Sequence, residues 1–230
     1  MRALILAGGF GSRLQSVVSD VPKPMASVAG RPFLEHLLNH CLQFGYQEVT
    51  LSVGYKAALI IQHFGESYKG IKLNYAVEKD ALGTGGAIRF ALDTAAPESV
   101  WTILNGDTLF SCDLHELHHF YKEKNADMAI ALKRMQHFDR YGLVNCDADN
   151  HVTAFLEKQY ADEGLINAGV YMFSAGLLQQ HFENHRKFSF EKDFMEKYLN
   201  ALKFFGIELD GYFIDIGIPE DYQKANKDLR

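Results

Sequence analysis

Two hydrophobic rhythms alternate along the first part of the chain. Short stretches rich in apolar and β-branched residues, Leu4 to Leu6, Glu48 to Val53, Ile71 to Val77 and Val100 to Leu104, read as strands, Glu48 to Val53 as a buried one. Between them, apolar residues recur at helical spacing. Phe33, Leu34, Leu37, Leu38, Cys41 and Leu42 follow Pro32, a favoured first helical residue, and stop at Gly45. Tyr55 to Phe64 is amphipathic and closed by Gly65, and Thr84 to Thr94 is entered through Leu82-Gly83-Thr84-Gly85-Gly86. Strands alternating with helices in this way predict a parallel sheet with right-handed crossovers.

The pattern then changes. A helix near Leu114 to Lys124 leads to a strand at Asp127 to Lys133, and short strands follow around Gly142–Cys146, His151–Glu157 and Gly164–Phe173 with little helix between them. That rhythm predicts antiparallel additions. Helices near Ser174–Phe182 and Ser189–Leu202, strands near Phe204–Leu209 and Tyr212–Ile216, and a helix from Pro219 to Leu229 complete the chain. With no linker, repeat or low-complexity segment in view, the expectation is one α/β domain over residues 1–230. Its sheet is mixed but mainly parallel and flanked by helices, and it divides into halves at 1–110 and 111–230.

Composition narrows the function. A formal net charge of −6 and a pI near 5.9 argue against nonspecific binding to nucleic acid or an anionic membrane, so any basic site is local. Three cysteines, Cys41, Cys112 and Cys146, form no zinc-like pair and fit a reduced, cytoplasmic protein. The apolar core of Met1-Arg2-Ala3-Leu4-Ile5-Leu6 is too short for a signal peptide, and no run approaches the ~20 apolar residues of a membrane span. A homo-oligomer is compatible with all of this.

The densest chemistry lies at the start. The first strand delivers Leu6, Ala7, Gly8, Gly9, Phe10, Gly11, Ser12 and Arg13, with Lys23 between two prolines shortly after. Backbone N–H groups in a loop poor in Cβ atoms can close on phosphate oxygens. Arg13 and Lys23 would add charge-assisted contacts. The dinucleotide fingerprint fails for want of a third glycine, and the Walker pattern fails for want of Gly-Lys-Ser/Thr. A plain turn is the bland alternative. Ligands in parallel sheets bind beyond the carboxyl ends of the strands, which also places Gly83, Thr84, Gly106 and Asp107 at the site. Asp107 at a strand end, and Asp215 far along the chain, are candidate ligands for Mg²⁺, which takes one or two carboxylates with phosphate oxygens and water. Either could instead cap a turn or helix. Cys112, His115, His118 and His119 cluster at helix-like spacing, as do His36 and His40, but they form no metal motif and read as surface or half-buried residues.

Several stretches then stand in a familiar order: Leu6-Ala7-Gly8-Gly9-Phe10-Gly11-Ser12-Arg13-Leu14, Pro22-Lys23-Pro24-Met25, Leu82-Gly83-Thr84-Gly85-Gly86-Ala87, Asn105-Gly106-Asp107, Glu157-Lys158, Asn167-Ala168-Gly169 and Asp215-Ile216-Gly217. Together they resemble the sugar-1-phosphate nucleotidylyltransferase family from end to end. Glu78-Lys79, Phe138-Asp139-Arg140-Tyr141-Gly142, Lys187-Phe188-Ser189-Phe190-Glu191 and Tyr212-Phe213-Ile214 point to the branch that joins GTP to D-glycero-α-D-manno-heptose 1-phosphate for surface glycan assembly. Mannose-1-phosphate guanylyltransferases and amino-sugar uridylyltransferases share the frame, and a non-catalytic nucleotide-sugar sensor is the rival class.

The resemblance implies a Rossmann-like fold, with nucleotide mainly in residues 1–110 and sugar phosphate mainly in 111–230. It also implies in-line attack by a sugar-1-phosphate oxygen on the α-phosphorus. That nucleophile is already largely ionised at neutral pH, so no general base is needed. The work is charge stabilisation: Arg13 on the β- and γ-phosphates, Lys23 towards the α-phosphate, Asp107 and Asp215 on Mg²⁺. Lys158 would bind the sugar phosphate, and Gly142, Glu157 and Asn167 would address sugar hydroxyls. Glu78 could accept from guanine N1–H and the 2-amino group, with backbone groups around Leu82 and Gly83 as the alternative reader.

Overall fold

The computed structural model describes residues 1–9, 14, 18 and 20–230. Its elements run β1 (Arg2–Leu6), a 3₁₀ turn (Lys23–Met25), β2 (Ser27–Val28), β3 (Arg31–Pro32), α1 (Phe33–Gln43), β4 (Glu48–Val53), α2 (Ala57–Phe64), β5 (Ser67–Tyr68), β6 (Ile71–Val77), α3 (Gly83–Ala91) and β7 (Val100–Asn105). There follow β8 (Thr108–Phe110), α4 (Leu114–Glu123), β9 (Met128–Phe138), β10 (Val144–Cys146), β11 (Val152–Phe155) and β12 (Ala161–Ser174). Then come α5 (Gly176–Gln179), a π-helix (Phe190–Glu196), β13 (Phe204–Glu208), β14 (Phe213–Asp215) and α6 (Pro219–Asp228).

Eight strands form one sheet in the order β13-β9-β12-β7-β1-β4-β6-β5. The strands from β7 through β1 and β4 to β6 are parallel, so their carboxyl ends share one edge. The strand β12 runs antiparallel to both β7 and β9, the antiparallel addition the sequence predicts, and β5 turns back on β6. Alternation along β1 shows how the layers form. Ala3 and Ile5 point into a core shared with Phe33, Leu37 and Leu51, while Leu4 points to the opposite core with Ile88, Phe173 and Phe194. Helices α1, α2, α4 and α6 cover the first face, and α3, α5 and the π-helix the second.

The departures from the sequence reading have physical causes. The strands β9 and β12 extend past their apolar runs as a two-stranded arm. From Lys133 outward β9 is mostly polar and its backbone pairs with Ala161 to Ile166, with Arg134 ion-paired to Glu163 and Glu208. The helix expected over Ser189–Leu202 is a π-helix confined to Phe190–Glu196, and that expected over Ser174–Phe182 is the short α5. The strand near Tyr212–Ile216 stays outside the main sheet and pairs with β8, which is too short to show in a periodicity. Among the described residues, no helix is long and apolar enough to cross a membrane.

One buried group makes stability depend on pH. His40 on α1 packs edge-on against Phe44 at 5.1 Å between ring centroids, and its Nε2 has no hydrogen-bond partner among the described residues. Burial pulls its pKa down to about 4, with Asp113 opposing weakly. The unfolded chain therefore binds a proton that the folded chain refuses, and stability is lost as pH falls from about 6.5 through 4. His40→Leu should flatten that loss by about 2 kcal/mol between pH 7 and 4.5 in urea unfolding. Parallel pH curves for parent and variant would refute it.

Candidate functional site

A cleft of about 660 Å³ lies at the shared strand edge. It is lined by Leu6, Gly8 and Gly9 after β1, Ser52 and Gly54 at β4, Glu78 after β6, and Gly106 and Asp107 after β7. Gly106 is required by close approach. Its N–H donates to the Leu6 carbonyl at 3.1 Å, and a Cβ there would sit 2.2 Å from that oxygen. Ala7 is fully buried and ties β1 to β4 through its N–H to the Ser52 carbonyl at 2.7 Å, so it supports the loop without lining the cleft. Gly11, Ser12 and Arg13 lie outside the described residues.

Three charges meet in this cleft. Lys23 Nζ lies 2.5 Å from Asp107 Oδ2 and 3.8 Å from Asp215 Oδ1, with the lysine 9% exposed. The residues come from distant parts of the chain, and the β8–β14 ribbon unites them. Thr108 pairs with Asp215, and the Ile216 N–H donates to the Asp107 carbonyl at 2.9 Å. Each carboxylate is oriented locally: Asp107 Oδ1 accepts from the Thr108 hydroxyl at 3.2 Å, and Asp215 Oδ1 from the Gly217 N–H at 2.7 Å. The ammonium sits where two carboxylates jointly favour a cation. Two hard oxygen donors opening on a phosphate-sized cleft suit Mg²⁺, with phosphate oxygens and water completing its shell. Among the described residues no third histidine, cysteine or carboxylate joins a metal-holding group, and Cys112, His115, His118 and His119 assemble no such site.

Glu78 lines the cleft and is held rigidly. Its Oε1 accepts from the Ser52 hydroxyl at 3.0 Å and its Oε2 from the Leu82 N–H at 3.1 Å. The Leu82 carbonyl in turn accepts from Phe188 N–H at 3.0 Å, so the backbone of Leu82 is spent within the fold. The second glycine loop is built for packing more than for phosphate. Gly85 and Gly86 N–H both point at the Phe188 carbonyl, at 3.1 and 3.3 Å, and a Cβ on Gly85 would strike the Phe188 ring. Gly83 and Thr84 line the cleft. The Thr84 hydroxyl donates to Glu191 Oε2 at 3.0 Å and accepts from Phe190 N–H at 2.9 Å.

A second cavity of about 510 Å³ takes in all four residues expected near sugar: Gly142, Glu157, Lys158 and Asn167. Asn167 stabilises a bulge in β12, donating from Nδ2 to the Tyr171 hydroxyl at 2.8 Å and accepting from Gly169 N–H at 3.0 Å. Lys158 and Glu191 line both cavities and mark their junction. Tyr141 also lines the second; burial, reinforced by the charge of Asp215, pushes its phenol up to about 12, so it stays a neutral donor. The sequence assigned no role to Tyr141 or Glu191. Both sit in the stretches that carry the resemblance, and that was the one signal available.

The nucleotidyl transferase family profile matches residues 2–230, and the chain belongs to that family. It is 47% identical to the D-glycero-alpha-D-manno-heptose 1-phosphate guanylyltransferase of Aneurinibacillus thermoaerophilus, covering 100% of this chain and 99% of that protein. The enzyme of the same name from Campylobacter jejuni is 44% identical, over 96% of this chain and 97% of its own. Among solved structures, HddC from Yersinia pseudotuberculosis complexed with GMP-PN superposes with a TM-score of 0.86 at 36% identity, covering 100% of this chain and 99% of that one.

Proposed function

We propose that the chain transfers a guanylyl group from GTP to D-glycero-α-D-manno-heptose 1-phosphate, giving GDP-heptose and pyrophosphate for surface glycan assembly. The observation that carries this is the junction. A nucleotide-sized cleft holding Lys23, Asp107 and Asp215 meets a second cavity at Lys158. A sugar phosphate seated on Lys158 would present an oxygen to an α-phosphorus seated beside Lys23. The new bond forms between that oxygen and phosphorus as the bond from phosphorus to the bridging oxygen breaks, and pyrophosphate leaves.

No side chain has to accept a proton, because the attacking phosphate is an anion. The residues instead gather two anions and stabilise charge as it shifts towards the leaving group. Lys23 acts on the α-phosphate. Asp107 and Asp215 would hold Mg²⁺, which when bound neutralises the phosphates. Arg13 takes the β- and γ-phosphates by the sequence argument. Gly8 and Gly9 border the phosphates, and Glu157, Asn167 and Gly142 border the sugar. Glu78 reads guanine: its two oxygens are aimed by Ser52 and Leu82, and each keeps a lone pair for N1–H and the 2-amino group. Three unpaired cysteines, two of them buried, favour a cytoplasmic setting.

A pyrophosphate-release panel tests the reading, with GTP, UTP, dTTP and ATP each paired with heptose, mannose, glucose and N-acetylglucosamine 1-phosphates. The expected optimum is GTP with heptose 1-phosphate, with mannose 1-phosphate second. An optimum with UTP or dTTP overturns the base assignment, and a mannose optimum with GTP overturns the sugar.

A further inference from the structure

The second cavity has two kinds of wall. One is strand and loop, carrying Gly142, Glu157, Lys158 and Asn167; the other is the π-helix with its leading Ser189. A π-helix closes hydrogen bonds five residues apart, so side chains four and five apart share a face. On one face Phe190 and Phe194 stack at 5.5 Å and are buried, Phe190 against Tyr171 and Phe173. The cavity receives Glu191, Lys192 and Glu196. The helix is locked at its start. Ser189 Oγ accepts from Lys192 N–H at 3.2 Å, Ser189 N–H donates to Asp193 Oδ2 at 2.7 Å, and Glu191 is tied to Thr84 and Ser189.

Glu191 lines both cavities, whereas Lys192 and Glu196 line the second alone. Their side chains have no hydrogen bond or ion pair among the described residues. A free carboxylate and a free ammonium thus stand on the wall of the second cavity, on an element other than the one that carries Lys158. We propose that Lys192 and Glu196 are specificity-determining residues that read the vicinal diol at the far end of a heptose. This deepens the guanylyl-transfer reading and rests on it.

The chemistry follows from the sugar. A hexose ends in one primary hydroxyl, whereas a heptose carries a further carbon and so two adjacent hydroxyls beyond the ring. A carboxylate accepts from two neighbouring hydroxyls at once, and an ammonium donates to their lone pairs. Side chains that bond the added hydroxyl give the longer sugar contacts that the shorter one cannot make.

The test compares kcat/KM for heptose and mannose 1-phosphates at saturating GTP in the parent, Glu196→Ala and Lys192→Ala. Both side chains are exposed, and thermal melting verifies that the variants fold. The heptose-over-mannose ratio should fall about tenfold in Glu196→Ala and several-fold in Lys192→Ala, with Glu196→Gln recovering part of it through its remaining oxygen. A ratio that stays at the parent value in both alanine variants overturns the assignment, even if both sugars are used more slowly. A parent that transfers guanylyl to neither sugar overturns the functional reading instead.

Discussion

Lys23→Ala is expected to lower kcat by about 10²–10³-fold, the usual cost of losing one preorganised group aimed at developing charge. The lysine is nearly buried, and its ammonium already stands at the head of the cleft against Asp107 and Asp215. It therefore needs no reorganisation when charge shifts across the α-phosphate. Lys158→Ala should behave differently, raising the KM for sugar phosphate more than it lowers kcat. On the proposed reading Lys158 would meet a phosphate charge present in the ground state, so much of its contribution would be uniform binding. The Lys23 variant also carries a readout independent of turnover. Without the ammonium, Asp107 and Asp215 lose the cation they share, and a divalent cation would take its place between them. The rise in melting temperature on adding Mg²⁺ should thus be larger in Lys23→Ala than in the parent. Equal kcat values for parent and variant would remove Lys23 from the chemistry; an unchanged Mg²⁺ shift would remove the two carboxylates as its joint counter-ions.

Much of the fold was legible because buried parallel strands announce themselves. Glu48–Val53 and Ile71–Val77 are strands over the residues that their apolar runs mark. The edge of the sheet that carries the cleft followed from the same runs, since Leu6, Val53, Val77 and Asn105 end parallel neighbours. The arm of β9 and β12 was not legible beyond Lys133. Most of its outer residues are polar, and strand pairing together with the ion pairs of Arg134 holds them, which no apolar run announces. The π-helix was misread because Phe190 and Phe194, four apart, fit an α-helix as well as the wider winding.

The cleft shows the same division. Lys23, Asp107 and Asp215 could each be nominated from residue type and position. Their meeting could not, because it depends on β8 and β14, three-residue strands that pair across more than a hundred positions of sequence. The glycines of Gly83–Gly86 show how one signal serves two causes. A glycine cluster before a helix suggests a phosphate cradle, yet Gly85 and Gly86 turn their N–H groups to Phe188 and admit its ring. That contact binds the nucleotide loop to the segment that walls the second cavity, so the two halves of the chain are joined by the residues that seemed to belong to one.

Asp107→Asn and Asp215→Asn should each lower kcat by about 10³-fold, the several kcal/mol that a metal-held charge contributes to a phosphoryl transition state. Asparagine is the informative replacement. It caps turns and helix starts as well as aspartate does, and its side-chain oxygen can still accept from Thr108 or Gly217. A purely structural aspartate would therefore tolerate the change. A metal ligand would not, because the amide carries no charge and Mg²⁺ favours carboxylate oxygen. The Mg²⁺-dependent rise in melting temperature should shrink in both variants, opposite in direction to Lys23→Ala, while the melting temperature without metal changes little. If the two carboxylates hold one ion between them, as proposed, the double variant should be barely slower than the worse single one. Parent-like turnover in either single variant at saturating Mg²⁺ would withdraw that residue from the metal site. Full activity in the double variant would leave the cleft without an acidic role in catalysis.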